Sequence, residues 1–164
     1  MSLLIHPHNF NACHLHFKPA VQNNDAVVGK FYHIIYSTKH VSFNGVGILV
    51  NLAGSQHDAH YNKVLVQFDP ALPANKTVLS QLHAVECAII DKHVSVMGGG
   101  ACRRVHSLWD QLNSGSIRAH VNDRNDNAND NANANASANH VMLKICGVWE
   151  TNDECGITHK FVKC

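Results

Sequence analysis

Hydrophobic and polar positions along this chain repeat with two different periods, and the switches between them divide it into three parts. Before residue 70 the period is two. Leu15 and Phe17 alternate with His16 and Lys18 in a strand predicted over 14–20, which Pro19, lacking a ladder donor, places at an edge or an end. The run FYHIIYS over 31–37 carries aromatic and branched residues on both faces and reads as a second strand. Asn44-Gly45 marks a tight turn, read as a hairpin turn, ahead of a strand over 46–52. Residues 53–62 are polar and loop-like, and a further strand over 63–68 is closed off by Asp69-Pro70 and Pro73.

The middle of the chain has a helical period. Val78, Leu82, Val85 and Ile89 recur every three or four positions, with Asn75 or Thr77 available as a cap. Gly98-Gly99-Gly100 separates this helix from a second helical stretch, on which Cys102, Val105, Trp109 and Leu112 share a face and Asn113-Ser114-Gly115 is the stop. Alternation then returns, with Ile117, Ala119 and Val121 set against Arg118 and His120. In the closing pair, Val141, Leu143, Ile145 and Gly147 oppose Met142, Lys144, Cys146 and Val148, and Ile157, His159, Phe161 and Lys163 oppose Thr158, Lys160, Val162 and Cys164.

These segments predict one α+β domain over 1–164, built on a predominantly antiparallel sheet of roughly five to seven strands with two central helices. A strongly curved version closes into a barrel of oligonucleotide-binding type. Uninterrupted βαβ alternation is absent, which argues against a Rossmann-like sheet. Residues 122–139 repeat Asn and Ala without branched or aromatic residues, so ordering them gains little burial against its entropy cost. They read as a flexible insertion between paired strands.

Composition changes the picture in one respect. Charged residues make up 15% and the formal net charge is +1, so bulk charge argues for neither nucleic acid nor membrane. Histidine, however, occurs 14 times. With a reference pKa of about 6.5 for the side chain, mild acidification turns a nearly neutral protein basic. The six cysteines include no Cys-x-x-Cys pair, the first residues lack a basic leader, and no segment approaches the ~20 apolar residues of a membrane span. The expectation is an intracellular protein with reduced thiols, no membrane partner and an unused Asn75-Lys76-Thr77 sequon.

Candidate chemistry is dispersed. The glycine run before Arg103 and Arg104 allows an anion contact, but without a Walker lysine or a dinucleotide fingerprint. His57 and His60 have metal-ligand chemistry at close spacing, as do His6 with His8 and His14 with His16, yet none brings a diagnostic further ligand. Cys102 with His106 is the thiol–imidazole pair that local spacing favours, at what reads as a helix start. Only three Glu occur and no paired acidic motif is present, so no catalytic residue and no cofactor are assigned. The cations of the strand segments are Lys18, Lys30, Arg118, Lys144, Lys160 and Lys163, and the aromatics Phe17, Phe31, Tyr32, Tyr36, Trp149 and Phe161 occur among the same segments. That combination of phosphate-neutralising and stacking side chains suits single-stranded nucleic acid.

The closing VMLKICGVWETNDECGITHKFVKC resembles the C-terminal hairpin of small replication-associated or uncharacterised proteins of large double-stranded DNA viruses. The resemblance is carried by Leu143-Lys144-Ile145, Gly147, Trp149-Glu150, the acidic turn, Gly156-Ile157-Thr158 and Lys160-Phe161. Cys146 and His159 stand where a small polar residue and an aromatic are expected. The resemblance implies a role in genome handling in the nucleus or cytoplasm of an infected cell. The expected function is therefore a non-enzymatic single-stranded DNA-binding protein of genome replication or maintenance, with homo-oligomerisation possible. Arg103, Arg104, Arg118, Lys144, Trp149, Lys160 and Phe161 are its expected contacts. A viral structural or self-assembling protein and a metal-dependent hydrolase using His57 and His60 are the alternatives.

Overall fold

The computed structural model describes residues 4–22, 29–59, 61–98, 102–121 and 138–164. The first half carries strands β1 (Leu4–Ile5), β2 (Leu15–Phe17), β3 (Val21–Gln22), β4 (Lys30–Ser37), β5 (Ser42–Asn44), β6 (Val46–Ala59) and β7 (Lys63–Phe68). Helix α1 (Pro73–Met97), β8 (Arg103–Val105), α2 (Ser107–Asn113), β9 (Ser116–His120), β10 (Ala138–Glu150) and β11 (Glu154–Lys163) follow. The class is α+β. Five strands close a mixed barrel in the order β6–β7–β9–β11–β10, with β10 returning to β6, an architecture consistent with an oligonucleotide-binding-type barrel. Short flanking strands bring the described sheet to 11. Most pairings are antiparallel; β1 with β6, β8 with β11 and β9 with β11 are parallel.

Closure depends on two strands, β6 and β10, that change partner along their length. The first half of β6 pairs with β10 and its second half with β7, while the far end of β10 pairs with β4. The stretch 53–59, expected as loop, is thus strand: Ser55, Gln56 and His57 are exposed while the backbone pairs with β7. Gly45 is not a hairpin turn either. It is the corner at which the chain leaves β4 for β10, held at φ +82°, where a Cβ would come within 2.7 Å of Ile145 O. Asn75 secures the handover on β6. Its buried amide accepts from Ala53 N and donates to Ala53 O and Asp69 O, all at 2.9 Å. This occupies the sequon side chain within the fold.

Helix α1 starts on Pro73, whose fixed φ suits the first helical position, without the side-chain cap expected from Asn75 or Thr77. It ends on Gly98 at φ 70°, whose N–H returns to Val94 O. Its stripe of Leu79, Leu82, Val85, Ile89 and Ile90 packs into the core with Val46, Ile48, Val50, Leu143, Ile145, Ile157 and Phe161 from the barrel. The second helix is shorter than expected. Residues 103–105 form β8 beside β11, and α2 begins only at Ser107. A tertiary cap sets that start: the fully buried Glu86 carboxylate of α1 accepts the N–H groups of Leu108 and Trp109, each at 3.0 Å. Burial pushes the Glu86 carboxyl above its usual range, against the opposing pull of those two N–H donors and of His106 and His83. At the other end of α1, buried His93 places Nε2 2.7 Å from Glu150 Oε2, with the rings of Phe17 and Tyr32 edge-on to it.

Candidate nucleic-acid interface

Alternation on the barrel strands sorts the predicted contacts onto two sides. Val141, Leu143 and Ile145 of β10 are fully buried, so Met142 and Lys144 face outward; on β11, Ile157 and Phe161 face inward and Thr158 and Lys160 outward. The β10–β11 register slips at Cys146, a bulge that restores Val148 to the core and turns Gly147 and Trp149 outward. Unbroken alternation would have put Gly147 inside and Val148 outside. The bulge is invisible to a period-two reading because it adds a residue without a distinctive side chain.

The outward face carries a row of cations. Lys144 and Lys160 are direct cross-strand partners. The parallel β9–β11 register matches Ala119 with Phe161, and one step back it sets Arg118 beside Lys160. Lys63 of β7 lies opposite His120 of β9, flanking the row on the same face. No Asp or Glu occupies an outward position of β7 or β9, of β10 from Met142 to Trp149, or of β11 from Gly156 to Val162. Among the described residues no carboxylate pairs with Arg118, Lys144 or Lys160.

Aromatic surface adjoins the row. Trp149 lies across from Gly156 on one side and Phe31 of β4 on the other. Its ring covers Gly156 so closely that a Cβ there would meet Cζ2 at 2.8 Å. Phe31 leans over Gly147 in the same way and meets His33 edge-on, with ring centroids 4.8 Å apart. Between Trp149 and Lys144 there are about four strand steps, roughly 13 Å at about 3.3 Å per residue.

The remaining predicted contacts are elsewhere. Phe161 is 2% exposed and belongs to the core, the necessary consequence of Lys160 facing out. Arg103 pairs with Glu154, and Arg104 Nε lies 2.8 Å from Asp91 Oδ1, so both lie on the β8 side of the fold with their charges answered. His57 is exposed on β6 with Nε2 3.1 Å from Ser55 Oγ, and His60 lies outside the described residues, as does 122–137 of the expected insertion. Ala138 and Asn139, counted with that insertion from sequence, are the first residues of β10. Cys102 does not start a helix, since β8 follows it and α2 begins only at Ser107. Its Sγ is 2.7 Å from Cys155 Sγ, and burial followed by this contact pushes the Cys155 thiol up to about 12.

Sequence reasoning missed a second group of side chains, at the α1–α2 junction. His83 and Cys87, one helical turn apart on α1, meet His106 just before α2. His33, Lys63 and His120 were missed as members of the outward face, since only pairings between strands distant in sequence align them. No protein-family model, curated protein or solved structure matches this chain.

Proposed function

We propose that the protein is a non-enzymatic single-stranded DNA-binding protein that acts in replication or maintenance of a genome. One observation carries this reading: Arg118, Lys160 and Lys144 form a carboxylate-free row across three adjacent barrel strands, beside the outward aromatics Trp149 and Phe31. A row running across strands neutralises successive phosphates, and flat rings beside it give bases a sequence-tolerant stacking surface. Placing two lysines directly opposite each other costs stability when the face is bare, and a bound polyanion removes that cost. Arg103, Arg104 and Phe161 have no part in this version of the interface.

Fluorescence titration with a labelled single-stranded oligonucleotide of mixed sequence at low salt tests the reading. Saturable binding that is insensitive to sequence, with duplex DNA of the same length competing poorly, is the expected result. Absence of binding at low salt would remove the proposal, and preference for duplex would replace it with a groove-binding mode.

A further inference from the structure

We propose that His83, Cys87 and His106 form a zinc site that fastens the segment before α2 to helix α1. His83 and Cys87 are four residues apart and so share one face of α1, while His106 arrives from a different element, so the donors converge by folding. Their ligand atoms all lie within 4.8 Å of one another. Cys87 Sγ is 3.7 Å from His83 Nε2 and 3.9 Å from His106 Nδ1. A tetrahedral zinc with Zn–S of about 2.3 Å and Zn–N of about 2.0–2.1 Å requires S···N edges of about 3.5 Å. Both thiol–imidazole edges are therefore within a few tenths of an ångström of that requirement.

The surroundings orient the donors. The His83 ring stacks on Trp109 with centroids 4.4 Å apart and meets the His106 ring edge-on at 5.2 Å. Glu86, which fixes the start of α2 through Leu108 and Trp109, places Oε2 3.9 Å from Nδ1 of both His83 and His106. For His83, whose Nε2 is the nitrogen nearer the thiol, this sets the carboxyl beside the other ring nitrogen, the side from which carboxylates orient ligating imidazoles. The neighbouring Arg104 is already paired with Asp91 and does not oppose a dication with a bare charge. His83 and His106 remain about one-third exposed at their side chains, 34% and 29%, so metal can enter and the fourth position faces solvent. Borderline-soft donors of this N,N,S type favour zinc over magnesium or calcium.

Cobalt(II) substitution of the untagged full-length chain, purified under reducing conditions, tests the site with a readout independent of oligonucleotide binding. Titration should give a thiolate-to-cobalt charge-transfer band and intense tetrahedral ligand-field bands that saturate at one equivalent and are displaced by zinc. Cys87→Ser should abolish the charge-transfer band, His83→Gln should weaken cobalt binding at least tenfold, and His57→Ala should leave both unchanged. Zinc should also raise the thermal midpoint of the wild type but not that of His83→Gln, a surface-accessible change that serves if Cys87→Ser fails to fold. A wild-type titration without a thiolate band, or a band retained at full affinity in His83→Gln, would overturn the assignment.

Discussion

Lys144 and Lys160 stand directly across from each other in the β10–β11 pair, on the outward side of the barrel. Like charges facing across a ladder destabilise it by a few tenths of a kcal/mol to about 1 kcal/mol, and no described carboxylate is placed to offset this pair. Lys160→Thr keeps a strand-compatible side chain and removes the repulsion. It should raise the stability of the free protein by about 0.5 kcal/mol in urea denaturation at low salt, with the gain shrinking as salt screens the parent pair. The same variant should bind oligonucleotide more weakly. Gain in one property and loss in the other marks a residue kept for a ligand; a loss in both would make Lys160 a structural residue.

Trp149 and Phe161 separate stacking from packing. Trp149→Ala removes an outward ring and should cost about 1–3 kcal/mol of oligonucleotide binding, the range for one stacked base. Binding of the parent should quench indole fluorescence, and most of that quench should vanish in the variant. Phe161→Ala opens a cavity in the core and should cost about 3–5 kcal/mol of folding stability, read as a lowered denaturation midpoint. Its still-folded fraction should bind normally.

Much of this was legible in the sequence, for reasons that particular residues make plain. The stripe Val78, Leu82, Val85 and Ile89 announces α1 because a helix face must bury one side, and the β10–β11 alternation puts Lys144 and Lys160 on one face by period alone. What stayed hidden depends on contacts distant in sequence. Phe161 is not such a case: the alternation of β11 already sets it on the face opposite Lys160, against the stacking role expected of it. The shortening of α2 follows from Arg103, Arg104 and Val105 finding a free edge on β11, and its start is set by Glu86. His83 and Cys87 have the right helical spacing, but nothing in the sequence brings His106 to them.

Among the described residues Glu86 is the one buried carboxylate serving a helix start. Glu86→Ala leaves the N–H groups of Leu108 and Trp109 without their acceptor inside the fold, at about 1–3 kcal/mol for each unsatisfied group. The expected outcome is a loss of about 2–4 kcal/mol in chemical denaturation, together with faster amide exchange at the first turn of α2. A change below about 0.5 kcal/mol, within the range of ordinary surface substitutions, would show that α2 does not depend on this cap.

His159 gives the fold a pH dependence of known sign. Burial lowers its pKa below the usual histidine value, and Nε2 lies 2.9 Å from Gln111 Oε1 on α2. Above the unfolded value of about 6.5 both states hold the ring neutral and its contribution is fully present. As pH falls below that value the unfolded chain takes up a proton that the folded chain resists, so stability declines until the lowered folded pKa is reached. Denaturation midpoints between pH 7.5 and pH 5 should fall less steeply in His159→Gln than in the parent. Equal slopes would mean that His159 protonates as readily in the folded state as in the unfolded chain.

The proposed interface requires Arg118, Lys144 and Lys160 to contact phosphates together. The decisive measurement is the salt dependence of oligonucleotide affinity, by fluorescence anisotropy, for the parent and for Arg118→Gln/Lys144→Gln/Lys160→Gln. Each neutralised phosphate of a single strand contributes about 0.7 to the slope of log affinity against log salt, so removing three contacts should reduce the slope by about 2. A triple variant that binds with the parent's affinity and slope would place any nucleic-acid contact elsewhere and contradict the interface.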